Sequence, residues 1–137
     1  MLQPVVGMSE QIIVARSPET VWRFFTQIER WKDWIGFSFK SVDWKVGGRM
    51  NLEDGGFSTI VQPFDPLKKV HYYSSGAFTT DTTFDFEPFE EGRKTRIVFT
   101  QIYSGVTFRD GGASKRESMQ ETLTKLKGLV EKEPERY

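Results

Sequence analysis

The stretch IIVARSPETVWRFFTQIERWKDW, residues 12–34, decides the fold. Its opening completes a strand over residues 9–16 with β-branched side chains at the centre. Ser17 is a strong N-cap. Pro18 takes the first helical position, where its missing N–H costs nothing. Glu19 in the first turn suits the helix dipole. Val21, Phe24, Phe25 and Ile28 then recur at helical spacing, with Trp22 beside them. A second short helical piece over about 29–34 ends near Gly36. One strand and two short helices are thus expected before the chain changes character.

Beyond Phe37 the pattern is that of strands, expected at about 37–44, 48–54, 56–63, 68–76, 79–88 and 94–104. Gly47 and Gly48, Asp54 to Gly56, Gly76, and Glu90 to Gly92 supply turn chemistry between them. Pro63 and Pro66 bracket a break that no paired central strand tolerates. Turns this short make successive strands antiparallel, because parallel pairing needs a long crossover. Phe84 and Phe86 alternate with Asp85 and Glu87, as on a sheet with one covered face. Residues 113–131 form a last helix, entered through Gly111 and Gly112. Its Met119, Leu123, Leu126 and Val130 make a single apolar stripe. The order β-α-α-β6-α is an α+β plan: a seven-stranded curved antiparallel sheet around a long C-terminal helix. That helix must bury its stripe, and the concave face of the sheet is the large apolar surface on offer.

Bulk properties narrow the function. A chain of 137 residues fits one domain, which buries roughly 68% of its unfolded surface. Lys plus Arg and Asp plus Glu are 19 each, so no basic excess exists to neutralise nucleic-acid phosphates. The absence of cysteine excludes disulfides and thiolate chemistry. No apolar run approaches the roughly 18 residues of a membrane span. Residues 1–7 do not read as a secretory signal, so a cytoplasmic location is expected. Met8 is a candidate alternative start, because regular pattern begins only after it. Residues 1–8 and the tail 132–137, with Pro134, are expected to be poorly ordered. Aromatics reach 15%, which reads either as a bulky core or as the lining of a small-molecule pocket.

Three segments carry a resemblance. IIVARSPETVWRFFTQIERWKDW is similar to the opening of the START-like superfamily, also called SRPBCC. SVDWKVGGRM resembles its second strand, glycine turn and third strand. FDFEPFEEGRKTRIVFTQ and LTKLKGLVEK resemble its last hairpin and closing helix. Two branches fit: the polyketide cyclase/dehydrase and lipid-transport group, and the group related to the activator of the heat-shock chaperone ATPase. The resemblance implies the helix-grip fold, with a cavity between long helix and sheet that holds a lipid, polyketide or other apolar molecule. It brings no family-wide catalytic residue, metal ligand or cofactor.

The pocket expected on this plan takes Phe84 and Phe86 from one strand and Ile97, Phe99 and Gln101 from the next. Met119 and Leu123 come from the helix, and Trp34 and Phe37 stand near the mouth, with Tyr73, Tyr103 and Phe108 as further candidates. The alternative is that these side chains simply fill the space. A buried Gln101 favours a pocket, since an unpartnered polar group in a dry core costs roughly 1–3 kcal/mol. His71, the single histidine, has no second metal ligand or nucleophile in a suggestive motif. It reads as structural or exposed, with a polar contact to a ligand as the alternative. Asp81, Asp85 and Glu87 read as a solvated face. Binding of a small apolar ligand is the first functional reading. A cyclase, aromatase or dehydratase is the second, with His71, Gln101, Tyr73 and Tyr103 as its candidates. A chaperone-interacting module is the third, and association as a homodimer is left open.

Overall fold

The computed structural model describes residues 4–53 and 57–135. Strand β1 (Val5–Val14) leads into helix α1 (Pro18–Phe25) and a 3-10 helix (Ile28–Asp33). Six strands follow: β2 (Phe39–Val42), β3 (Arg49–Leu52), β4 (Ser58–Val61), β5 (Lys69–Ser75), β6 (Thr79–Phe89) and β7 (Lys94–Ser104). Helix α2 (Ala113–Val130) closes the chain. All strands pair antiparallel in one curved sheet, in the order β1-β7-β6-β5-β4-β3-β2. Because β1 and β2 lie at opposite edges, the two short helices must carry the chain across the sheet. The α+β plan and its helix-grip layout are those expected.

Ser17 caps α1 as its residue type predicts, accepting a hydrogen bond from the Thr20 backbone N–H. Gly47 has φ +82, so the β2–β3 turn uses its freedom. The expected turn at Asp54, Gly55 and Gly56 lies outside the described residues. At the β6–β7 turn Glu90 and Glu91 also take positive φ, beside Gly92.

One expectation about the ends is corrected, the start of the first strand. Strand β1 starts at Val5, four residues early, and pairs Val5 to Met8 with Ser104 back to Gln101. Gly7 hides this from a propensity reading, yet it only occupies an outward position opposite Ile102. Met8 is buried under α2, its terminal methyl against Gly112. The tail is also bonded as far as Glu135. Arg16 donates to the backbone carbonyls of Glu131 and Glu133, and Arg30 pairs with the Glu133 carboxylate at 2.5 Å. The Glu135 carboxylate accepts from the Ser17 N–H at 3.0 Å, the Ser17 hydroxyl at 2.9 Å and the Thr20 hydroxyl at 2.7 Å. Residues 1–3 and 136–137 lie outside the described ones.

The register sorts the concave face into rows running across the strands. Val70 lies opposite Phe84, and Phe84 opposite Phe99; Phe86 lies opposite Ile97. These rows are apolar and buried. Next to them, Tyr72 lies opposite Thr82 and Thr82 opposite Gln101; then Ser74 lies opposite Thr80 and Thr80 opposite Tyr103. The inward positions therefore change from aromatic to hydroxyl-bearing halfway along the sheet.

Candidate functional site

The apolar half of the concave face is filled. Phe25 from α1 meets Phe84 and Phe86 at ring distances of 4.9 Å each, and Trp34 at 5.0 Å. Trp31 packs on Trp34 and Tyr72. Leu123, Leu126 and Val130, in the second half of α2, are fully buried with them. Each such side chain removed from water is worth roughly 1.5–3 kcal/mol, so this half carries the fold.

The other half is open. A cavity of about 450 Å³ lies between the hydroxyl-bearing rows and the first half of α2. Tyr72, Thr82, Gln101 and Tyr103 line it from the sheet, and Lys115, Ser118, Met119 and Thr122 from the helix. Ile35, Phe37, Phe39, Phe57 and Phe78 add apolar wall. Phe99 stacks on Phe84 at 4.4 Å and 12°, so this ring pair marks the boundary between filled and open halves. Phe37 and Phe78 are exposed, which places apolar rings at the opening.

The polar lining is internally bonded. Tyr103 donates its hydroxyl hydrogen to Gln101 Oε1, and Gln101 Nε2 donates to Thr82 Oγ1 at 3.3 Å. Thr82 also bonds the Tyr72 hydroxyl. Burial pushes both tyrosine hydroxyls far above their ordinary value of 10.0, so both stay protonated at physiological pH. No histidine or carboxylate lines the cavity among the described residues. None of their His, Asp and Glu side chains gather in a group of three able to hold a metal ion.

Of the residues expected to bind ligand, Phe37, Phe99, Gln101, Tyr103 and Met119 line the cavity. Trp34, Phe84, Phe86, Ile97 and Leu123 are instead packed in the filled half, all nearly inaccessible. Trp34 belongs there and not at the mouth, because the 3-10 helix turns it inward onto Phe25 and Phe84. Tyr73 is corrected outright: β5 buries Val70, Tyr72 and Ser74, so Tyr73 points outward. His71 shares that outer face, with Nε2 2.5 Å from Asp81 Oδ1. Phe108 packs edge-on against Tyr103 outside the lining. Tyr72, Thr80, Thr82 and Lys115 went unpredicted. For Thr80 and Thr82 the signal was the alternation Thr80, Thr82, Phe84, Phe86 in one strand, a switch from polar to aromatic at inward positions; Tyr72 on β5 and Lys115 on α2 had no such signal.

Residues 15–131 match the family described as Activator of Hsp90 ATPase homolog 1-like protein. The chain belongs to that family. Its START/SRPBCC-type fold typically holds hydrophobic ligands. Among solved structures, a protein of unknown function from Staphylococcus aureus is similar with TM-score 0.76 and 16% identity, covering 95% of this chain and 96% of that one. DynU16, from the dynemicin biosynthetic locus, is similar with TM-score 0.75 and 15% identity, over 96% of this chain and 49% of that one. Ara h 8.0201 is similar with TM-score 0.72 and 11% identity, over 95% of this chain and all of that one, 100%. These likenesses carry the fold. No curated protein matches the chain. No helix among the described residues is long and apolar enough to cross a membrane.

Proposed function

We propose that the protein binds one small, mainly apolar molecule in the cavity between the sheet and the first half of α2. The observation that carries this reading is the half-filled concave face. The C-terminal half of α2 is packed to the sheet, whereas the N-terminal half leaves about 450 Å³, within the usual range for small-molecule sites. Aromatic walls supply apolar contact, and the Tyr72–Thr82–Gln101–Tyr103 chain supplies a few fixed polar contacts for orientation.

Binding is favoured over catalysis by the lining chemistry. General acid–base work needs a group that titrates near the working pH. The two tyrosines are held neutral by burial, His71 and Tyr73 face away from the cavity, and Lys115, the ionisable cation of the lining, has no acid or histidine beside it there among the described residues to share a proton with. The chaperone-partner reading needs a contiguous exposed apolar patch. The exposed rings of Phe37 and Phe78 belong to the cavity wall, and Val46, Leu67, Tyr73 and Ile102 are exposed on four different segments of the chain.

Native mass spectrometry of the purified protein, with solvent extraction of co-purified material, tests the reading. The expected result is a retained molecule of a few hundred daltons, or a thermal shift with members of a lipid and polyketide library. Absence of both would overturn it.

A further inference from the structure

Lys115 is placed at a cost that no carboxylate among the described residues offsets. It stands in the first turn of α2, where the helix dipole disfavours a cation, and that turn holds no acidic residue. Its side chain lines the cavity and is half-buried. Among the described residues no carboxylate lies within 4.0 Å of its ammonium. Helical spacing offers none either, since Gly111, Gly112, Ser118 and Met119 occupy the positions three and four residues away. The nearest acid in sequence, Asp110, is engaged in capping: it accepts from the N–H groups of Gly112 and Ser114 and from the Ser114 hydroxyl. What Lys115 does have is the face of Tyr103, with Nζ 5.6 Å from the ring centroid, a weak contact at that distance. Desolvation lowers its pKa below the ordinary 10.5, as expected for a cation drawn out of water without a counter-ion.

We propose that the missing counter-ion comes with the ligand: the cavity takes an apolar molecule bearing one carboxylate, which pairs with Lys115 while the apolar body lies along Phe99 and Phe37. This inference rests on the binding function proposed above and adds its charge class. The carboxylate would replace water on the ammonium, and the Tyr103 ring would hold the lysine stem in position. A charge-assisted contact in a partly dry site is stronger than one on the surface. The acid should therefore outbind a neutral molecule of the same shape.

Dodecanoate and dodecanol form one matched pair of probes, and 2-naphthoate and 2-naphthol another. Their affinities are measured by calorimetry on the wild type, Lys115→Met and Lys115→Arg. The wild type is expected to prefer the carboxylate of at least one pair by roughly tenfold or more. Lys115→Met should abolish the preference while keeping affinity for the neutral partner, and Lys115→Arg should retain it. A lysine that merely covers Tyr103 would make Lys115→Met melt lower without ligand. The proposal expects an unchanged or higher melting temperature. Neutral probes that bind as well as their acids, or a preference that survives Lys115→Met, would overturn this inference and leave the binding function standing. If no probe of either kind binds, this inference falls, and the binding function is decided separately by the retained-molecule and library test above.

Discussion

Trp31 and Trp34 sit three residues apart in one aromatic cluster, yet their indole N–H groups fare differently. Trp31 donates to the Phe25 carbonyl at 2.8 Å. Trp34 is equally inaccessible, and its N–H finds no acceptor among the described residues. Replacing a group that makes no bond loses only shape, whereas replacing one that does leaves a buried partner short. Trp31→Phe is therefore expected to destabilise by at least about 1 kcal/mol more than Trp34→Phe in urea unfolding. Equal costs would show that ring packing alone governs both sites. The sequence marks Trp34 as a pocket candidate and does not single out Trp31, so it cannot separate these roles. The difference depends on where a 3-10 turn leaves each side chain, and no periodicity encodes that. Residue-scale reading did better on β6, where Asp85 and Glu87 alternate with buried phenylalanines and pair outward with Lys69 and Arg96.

Among the elements, the β2–β3 hairpin depends on Gly48. A Cβ there would meet the Asp43 carbonyl oxygen at 2.1 Å and that of Lys45 at 2.9 Å, both backbone atoms unable to yield by a rotamer change. Gly48→Ala should cost about 1–3 kcal/mol, measured by thermal unfolding. A neutral outcome would mean that the turn rearranges freely. The C-terminal tail gives a second element-scale test. Burial of the Glu131 carboxylate works against its charge. Hydrogen bonds from Lys127 and the Ala15 N–H, with the charges of Lys127 and Arg16, outweigh that and lower its pKa. A carboxylate whose folded pKa is depressed contributes stability above its unfolded value, about 4.3, and loses it as pH falls through the folded value. The wild type should thus lose more stability than Glu131→Gln between about pH 5 and 3, read as melting temperature against pH. Parallel curves would remove Glu131 from the account. The tail's contacts were not legible in advance. Its anchors are Arg16, Ser17, Thr20 and Arg30, 103 to 118 residues away along the chain, and local propensity carries no information about such partners.

For the whole molecule, the order of elements was legible because capping, turn residues and hydrophobic period agree at nearly every step. The division of the concave face was not. It needs the register of β5, β6 and β7 together, and a shift of one residue in β5 exchanges Tyr72 for Tyr73. That division yields a prediction at this scale. Leu126→Ala, in the filled half, should cost about 2–5 kcal/mol of stability and leave the affinity of dodecanol unchanged. Thr122→Phe, in the open half, should lower that affinity by roughly tenfold with little change in stability. Coupled losses in both variants would mean that the two halves act as one. If they are separate, substitutions at Thr80, Thr82, Gln101 or Thr122 can retune cargo without threatening the scaffold. A lineage of such chains is then free to diverge in diet while keeping one skeleton, and the letters that record what is carried are not the letters that keep the carrier standing.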